Sequence, residues 1–118
     1  MYKALDIAKW FIFRYAEIEE PGEPLTLMKL LKLLYYAEGC SLALNNKSLF
    51  EEDILAWEHG PVVSEVYDAY KKDPYNLTFD PDECKKIAER IENDKESLAV
   101  MEQVFEVFGE YSAWALRN

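Results

Sequence analysis

The chain has 118 residues, half of them apolar or aromatic, with 4 glycines, 5 prolines and a formal charge of −10. That is material for one core and not for two, and it predicts a folded helical domain rather than a disordered polymer. No uninterrupted apolar run is long enough to cross a bilayer, and the N-terminus carries Asp6 and aromatic residues instead of a signal-peptide pattern, so a cytoplasmic protein is expected. The charge is unevenly placed. Residues 1–50 are neutral overall, whereas residues 51–118 hold seven basic and seventeen acidic side chains. Such a field repels phosphate backbones and argues against nucleic-acid binding. It either draws in a basic protein partner or serves only solubility.

In chain order, residues 2–19 read as a first helix. Leu5, Ile7, Ala8, Phe11, Ile12, Tyr15 and Ile18 share one broad face, and Trp10 and Phe13 fall on the opposite side among charged residues. A Pro- and Gly-containing loop follows at 20–24. Thr26 is the expected N-cap of a second helix over 27–45, apolar around nearly its whole circumference and therefore central. Gly39 inside it costs about 1 kcal/mol of helix propensity, which a close helix–helix approach would offset. Residues 45–48 make the turn out.

The stretch from Leu49 to Tyr67 then carries an acidic turn, a short apolar segment, Trp57, and a Gly60-Pro61 hinge. Gly60 supplies backbone angles closed to other residues, and Pro61 pre-sets the first position of a third helix. Val62, Val66 and Ala69 would line its inner face, with Val63, Tyr67 and Tyr70 flanking. Residues 54–57 and 77–79 are candidate strands that would pair with each other across that helix. Asp80-Pro81-Asp82-Glu83 reads as N-cap, N1 proline and capping-box acid of a fourth helix with Cys84, Ile87, Ala88 and Ile91 as its stripe. Asn93 or Asp94 caps a fifth, facing inward through Leu98, Met101, Val104, Phe105 and Phe108 and ending at Gly109. A last turn carries Trp114 and Leu116. The fold class expected is mainly α: a compact bundle of five to six helices, with room for a short two-stranded β element.

Catalytic constellations are hard to assemble from these residues. His59 is the lone histidine and reads as structural or interfacial rather than as a base. Cys40 and Cys84 lack metal-ligand spacing, and Glu51-Glu52-Asp53 lacks the spacing of a calcium loop, so neither metal nor cofactor is expected. The glycines are isolated, so no phosphate-binding loop is present. Aromatic residues are more informative. Trp10 and Phe13 either anchor a protein partner or form a second core face under a loop or the C-terminal segment. Trp57 and Tyr67 belong to the hinge pattern and are assigned to the core.

One run carries more. Leu30-Leu31-Lys32-Leu33-Leu34-Tyr35-Tyr36-Ala37-Glu38-Gly39, then Leu42-Ala43-Leu44, Ser48-Leu49-Phe50, Ala56-Trp57, Gly60-Pro61-Val62 and Tyr67 stand in a fixed order. This sequence resembles the Panacea domain, the SocA- and GepA-like antitoxin family of bacteria, phages and mobile elements. The resemblance is close over residues 2–75 and looser beyond. That family usually continues into a Thr-His and Pro-Trp segment, whereas this chain stops at Asn118, so the resemblance implies a single domain over 1–118 in a shortened form.

The resemblance implies a non-enzymatic antitoxin that binds and neutralises a cognate toxin, with Leu49, Phe50, Ala56, Trp57, Gly60, Pro61, Val62 and Tyr67 as its structural signature. The charge distribution adds that the toxin is basic, with Glu89, Glu92 and Glu102 joining Trp10 and Phe13 as candidate partner-binding residues. Two alternatives stand beside it. SocA-like members deliver bound toxin to a Clp-type protease, and a small phage-derived enzyme or ligand-binding domain would place His59 and the Glu51–Asp53 acids around an enclosed pocket. A homodimer is a further open arrangement; nucleic acid and membrane are not expected partners.

Overall fold

The computed structural model describes residues 1–17 and 25–108. The described elements are α1 (Ala4–Ala16), α2 (Leu27–Asn45), β1 (Leu55–Trp57), β2 (Gly60–Val62), α3 (Ser64–Tyr70), α4 (Pro81–Glu92) and α5 (Lys95–Phe108). The mainly α class with a small antiparallel sheet is as expected. The expectations for Ile18, the 20–24 loop, Gly109, Trp114 and Leu116 lie outside the described residues.

α2 is the axis. Thr26 caps it, its hydroxyl accepting from the Lys29 N–H at 3.2 Å, and Asn46 ends it in the left-handed region at φ 55°. Leu30, Leu33, Leu34 and Ala37 are fully buried, because α1, α3, α5 and β2 all pack on this one helix. Each such leucine contributes roughly 1.5–3 kcal/mol by leaving water. Gly39 is a correction: among the described residues a Cβ there would meet nothing within 4 Å, so no close approach of a described helix explains it.

α1 buries two faces. Ile7, Ala8, Phe11 and Tyr15 go into the core as the periodicity requires, and Trp10 on the other side is also buried, at 5% exposure. The reason is α4, which lies along that side. Cys84 Sγ sits 3.8 Å from the Lys9 carbonyl, and Phe13 meets Phe79 edge-on at 5.6 Å. The charged residues around Trp10 reach across to the neighbouring helices: Lys9 to Glu83 at 2.5 Å, Arg90 to Asp6 at 3.5 Å, and Arg14 to Glu102 at 3.3 Å. Glu83 therefore serves Lys9 rather than closing a capping box, although Asp80 caps α4 as expected by accepting from the Asp82 N–H at 3.0 Å.

The acidic turn at 51–53, with Glu51 and Asp53 exposed, also staples the N-terminus. The Tyr2 N–H donates to the Leu49 carbonyl at 2.9 Å and the Glu51 N–H to the Tyr2 carbonyl at 3.1 Å, forming a parallel bridge between Tyr2 and Phe50. Glu51 pairs with Lys3, and Glu52 accepts from the Ala4 N–H at 2.8 Å, satisfying a donor at the start of α1 that has no partner within the helix. Leu49 and Phe50 are each 1% exposed beneath this staple. The Tyr2 hydroxyl donates to Asp94 at 2.8 Å, and Asp94 caps α5 by accepting from the Ser97 N–H at 3.3 Å. Burial works against the Asp94 carboxylate, but the bonds from Ser97 and Tyr2 and the nearby Lys47 outweigh it and hold its pKa below the usual range. Burial, then the bond to Asp94, pushes the Tyr2 phenol up to about 12.

Candidate interaction site

The hinge segment differs from its expected form. Pro61 is not the first residue of a helix: Leu55–Trp57 and Gly60–Val62 pair as a hairpin, with Leu55 opposite Val62, Ala56 opposite Pro61 and Trp57 opposite Gly60. The expected pairing of 54–57 with 77–79 is corrected accordingly, since a two-residue reversal at Glu58 and His59 offers β1 a nearer partner. Pro61, which lacks an N–H, is tolerated on so short an edge ribbon. α3 starts only at Ser64 and is seven residues long, so Val66 is buried while Ala69, expected on the inner face, is exposed.

Gly60 is required by conformation rather than by space. Its φ is 125°, and among the described residues an added Cβ would meet only the Lys32 Cε, at an ordinary 3.7 Å. The positive φ is what other residues rarely adopt.

The hairpin, α3 and the first turns of α2 enclose a groove of about 480 Å³. Leu27, Leu31 and Val62 are its buried lining, and Trp57, Pro61 and Tyr67 form the side made by the hairpin and α3. The Leu27 N–H donates to the Pro74 carbonyl at 2.8 Å, tying the 74–76 turn to α2 and bringing Tyr75 to the lip. Met28, Trp57 and Tyr75 on this groove are 42%, 46% and 77% exposed. Trp57 is a further correction: it stands on the groove instead of in the core. It packs edge-on against the half-buried Tyr67 with ring centroids 5.1 Å apart, which fixes the ring without covering it. A smaller neighbouring hollow of about 380 Å³ shares Lys32, His59 and Pro61 and adds Tyr35, Tyr36 and Glu58.

Of the sequence-derived partner-binding candidates, Trp10 is buried and does not stand on the surface; it is part of a second core face. Phe13 is half-buried against Phe79, and Glu102 is engaged with Arg14. Glu89 and Glu92 are exposed on α4, which packs on α1 and α5, away from the groove. Met28 and Tyr75 were not singled out by sequence reasoning. The all-round apolar pattern of α2 hides Met28, and Tyr75 lies in a turn without periodicity.

His59 is exposed at the hairpin tip and borders both hollows, with mostly apolar neighbours in the larger one. No enclosed polar site surrounds it among the described residues. Among those residues no three His, Cys, Asp or Glu side chains converge as a metal site, and the two cysteines are unbridged. Burial, then the nearby Glu83, pushes the Cys84 thiol up, away from the reactive thiolate. No described helix is long and apolar enough to cross a membrane. What the geometry offers is an apolar cleft edged by exposed aromatic side chains, a surface suited to gripping another molecule by shape.

Searches of curated proteins and of solved structures returned no match. The family model described as antitoxin SocA-like, Panacea domain, matches residues 30–118. That span starts within α2 and takes in the hairpin, α3, α4 and α5, so it includes the helices whose resemblance is loosest as well as the groove's α2 and hairpin walls. The chain therefore belongs to the SocA-like, Panacea-domain family of antitoxins.

Proposed function

We propose that this antitoxin acts without catalysis, neutralising its toxin by direct binding, and that the hairpin groove is the contact face. The observation that carries the reading is the exposure of Trp57 and Tyr75 on an apolar groove, whereas Trp10, on the charged face of α1, is enclosed. Buried aromatic anchors dominate the energetics of protein interfaces; Tyr67 steadies the Trp57 ring, and the Pro74 tie to α2 holds the turn that carries Tyr75. The acidic excess after residue 50 favours a basic toxin by speeding encounter.

Co-expression with the product of the adjacent gene tests the proposal. The expected result is restored growth together with co-purification in a fixed ratio. Restored growth with no complex at micromolar protein would mean that neutralisation takes another route.

A further inference from the structure

We propose that the groove seats one large apolar or aromatic side chain of the toxin, carried on a segment whose flanking residues are cationic. This deepens the antitoxin reading above and rests on it. The cavity supplies the first half of the argument. About 480 Å³ lined by Leu27, Leu31, Pro61 and Val62 has few polar groups to orient a small polar ligand, and Trp57 and Tyr75 extend its apolar surface outward to meet a larger body.

The charges around the groove supply the second half. Glu58 follows Trp57 at the hairpin tip and lines the adjoining hollow, and Asp73 precedes Pro74 of the groove lining; both are exposed. Among the described residues no ion pair occupies Glu58 or Asp73, the latter accepting only from the Asn76 side chain at 3.5 Å, whereas Asp68 already holds Lys71 at 3.3 Å. The contrast with α1 is informative. There the charged residues around the buried tryptophan are matched by partners from α4 and α5, and here Glu58 beside the exposed tryptophan and Asp73 at the far turn are left for a partner to match. Lys32, the cation of the groove lining, is 5% exposed and engaged within the fold, so it does not reverse the sign at the rim. A peptide with lysine or arginine on either side of a tryptophan or leucine meets apolar surface at its centre and negative charge at its edges.

Two short labelled peptides, each with one central tryptophan, flanked by lysines in one and by glutamates in the other, provide the probe. The lysine peptide is expected to bind the full-length protein at least about tenfold more tightly at low salt, the margin shrinking as salt shortens the Debye length. Tyr75→Ala and Trp57→Ala, each with a thermal melt to verify folding, should weaken that binding about tenfold or more. Glu58→Gln with Asp73→Asn should narrow the gap between the two peptides. Equal binding of both peptides, no binding, or binding indifferent to Tyr75→Ala would overturn the proposal. Growth protection is scored separately. A protein that passes the peptide test but fails to protect cells overturns the antitoxin reading alone, and one that protects but fails the peptide test overturns the groove proposal alone.

Discussion

Two faces of this molecule carry a tryptophan among charged residues, and the fold treats them in opposite ways. On α1, Trp10 is 5% exposed and lies within a ring of ion pairs that lock α1 to α4 and α5. On the hairpin, Trp57 is 46% exposed, steadied from one side by Tyr67 and bordering a groove. The difference teaches that charge around an aromatic residue says little by itself. What matters is whether those charges find partners within the chain. Where they do, they clamp a second element over the ring and the ring becomes core. Where they do not, the ring stays available.

The sharpest way to break this comparison is to truncate both tryptophans. Trp10→Ala should cost about 3–5 kcal/mol of stability, because it empties a buried site. An unchanged melting temperature would show that α4 does not cover that face. Trp57→Ala should cost only about 1 kcal/mol of stability, mainly the edge-on contact with Tyr67. Its affinity for the toxin should fall by about 2 kcal/mol or more, with faster dissociation measured by surface plasmon resonance. Equal melting losses in the two variants would erase the distinction.

Gly60→Val sharpens it differently. A Cβ there meets only ordinary contact among the described residues, so the expected loss of about 1–3 kcal/mol comes chiefly from forcing a branched residue to φ 125°. Chemical denaturation reads it directly, and toxin binding should suffer in step because Trp57 pairs with Gly60 in the hairpin.

A smaller effect belongs to the N-terminal staple. Asp94→Ala removes the cap of α5 and the partner of Tyr2, for about 0.5–2 kcal/mol at neutral pH. Because the Asp94 pKa is lowered in the fold, its contribution is present above the ordinary carboxylate range and is lost as pH falls through the folded-state value. The gap in melting temperature between wild type and variant should therefore close as the pH falls below the ordinary carboxylate range. Toxin affinity should not change, since this staple lies outside the groove lining.

The smallest effect is expected from Glu89→Lys with Glu92→Lys. These acids sit on α4, away from the groove, so they should slow toxin association by no more than about threefold at physiological salt. A larger change would move the contact face towards α4.

Much of the framework was legible in the sequence, for identifiable reasons. Thr26 and Asp80 announce their helices because a side-chain cap is a local interaction, and α2 reads as central because apolar residues cover it all round. Local chemistry does not reveal which faces meet. The second buried face of α1 depends on α4, which is distant in sequence, so a helical wheel cannot decide between an anchor and a core residue at Trp10. The Gly60-Pro61 dipeptide suits either a helix start or a turn into a strand, and the pairing of β1 with β2 chose the latter. Tyr75 became part of the groove through one backbone bond, from Leu27 to Pro74, which no periodicity reports.

The claim that the hairpin groove is the toxin-binding face is tested most directly by amide hydrogen exchange on the antitoxin alone and in its complex. The account predicts slowed exchange on binding at residues 55–62 and around residue 75, with α1 and α4 unchanged. Protection confined to α1 and α4, with the hairpin exchanging as freely as in the isolated protein, would contradict it.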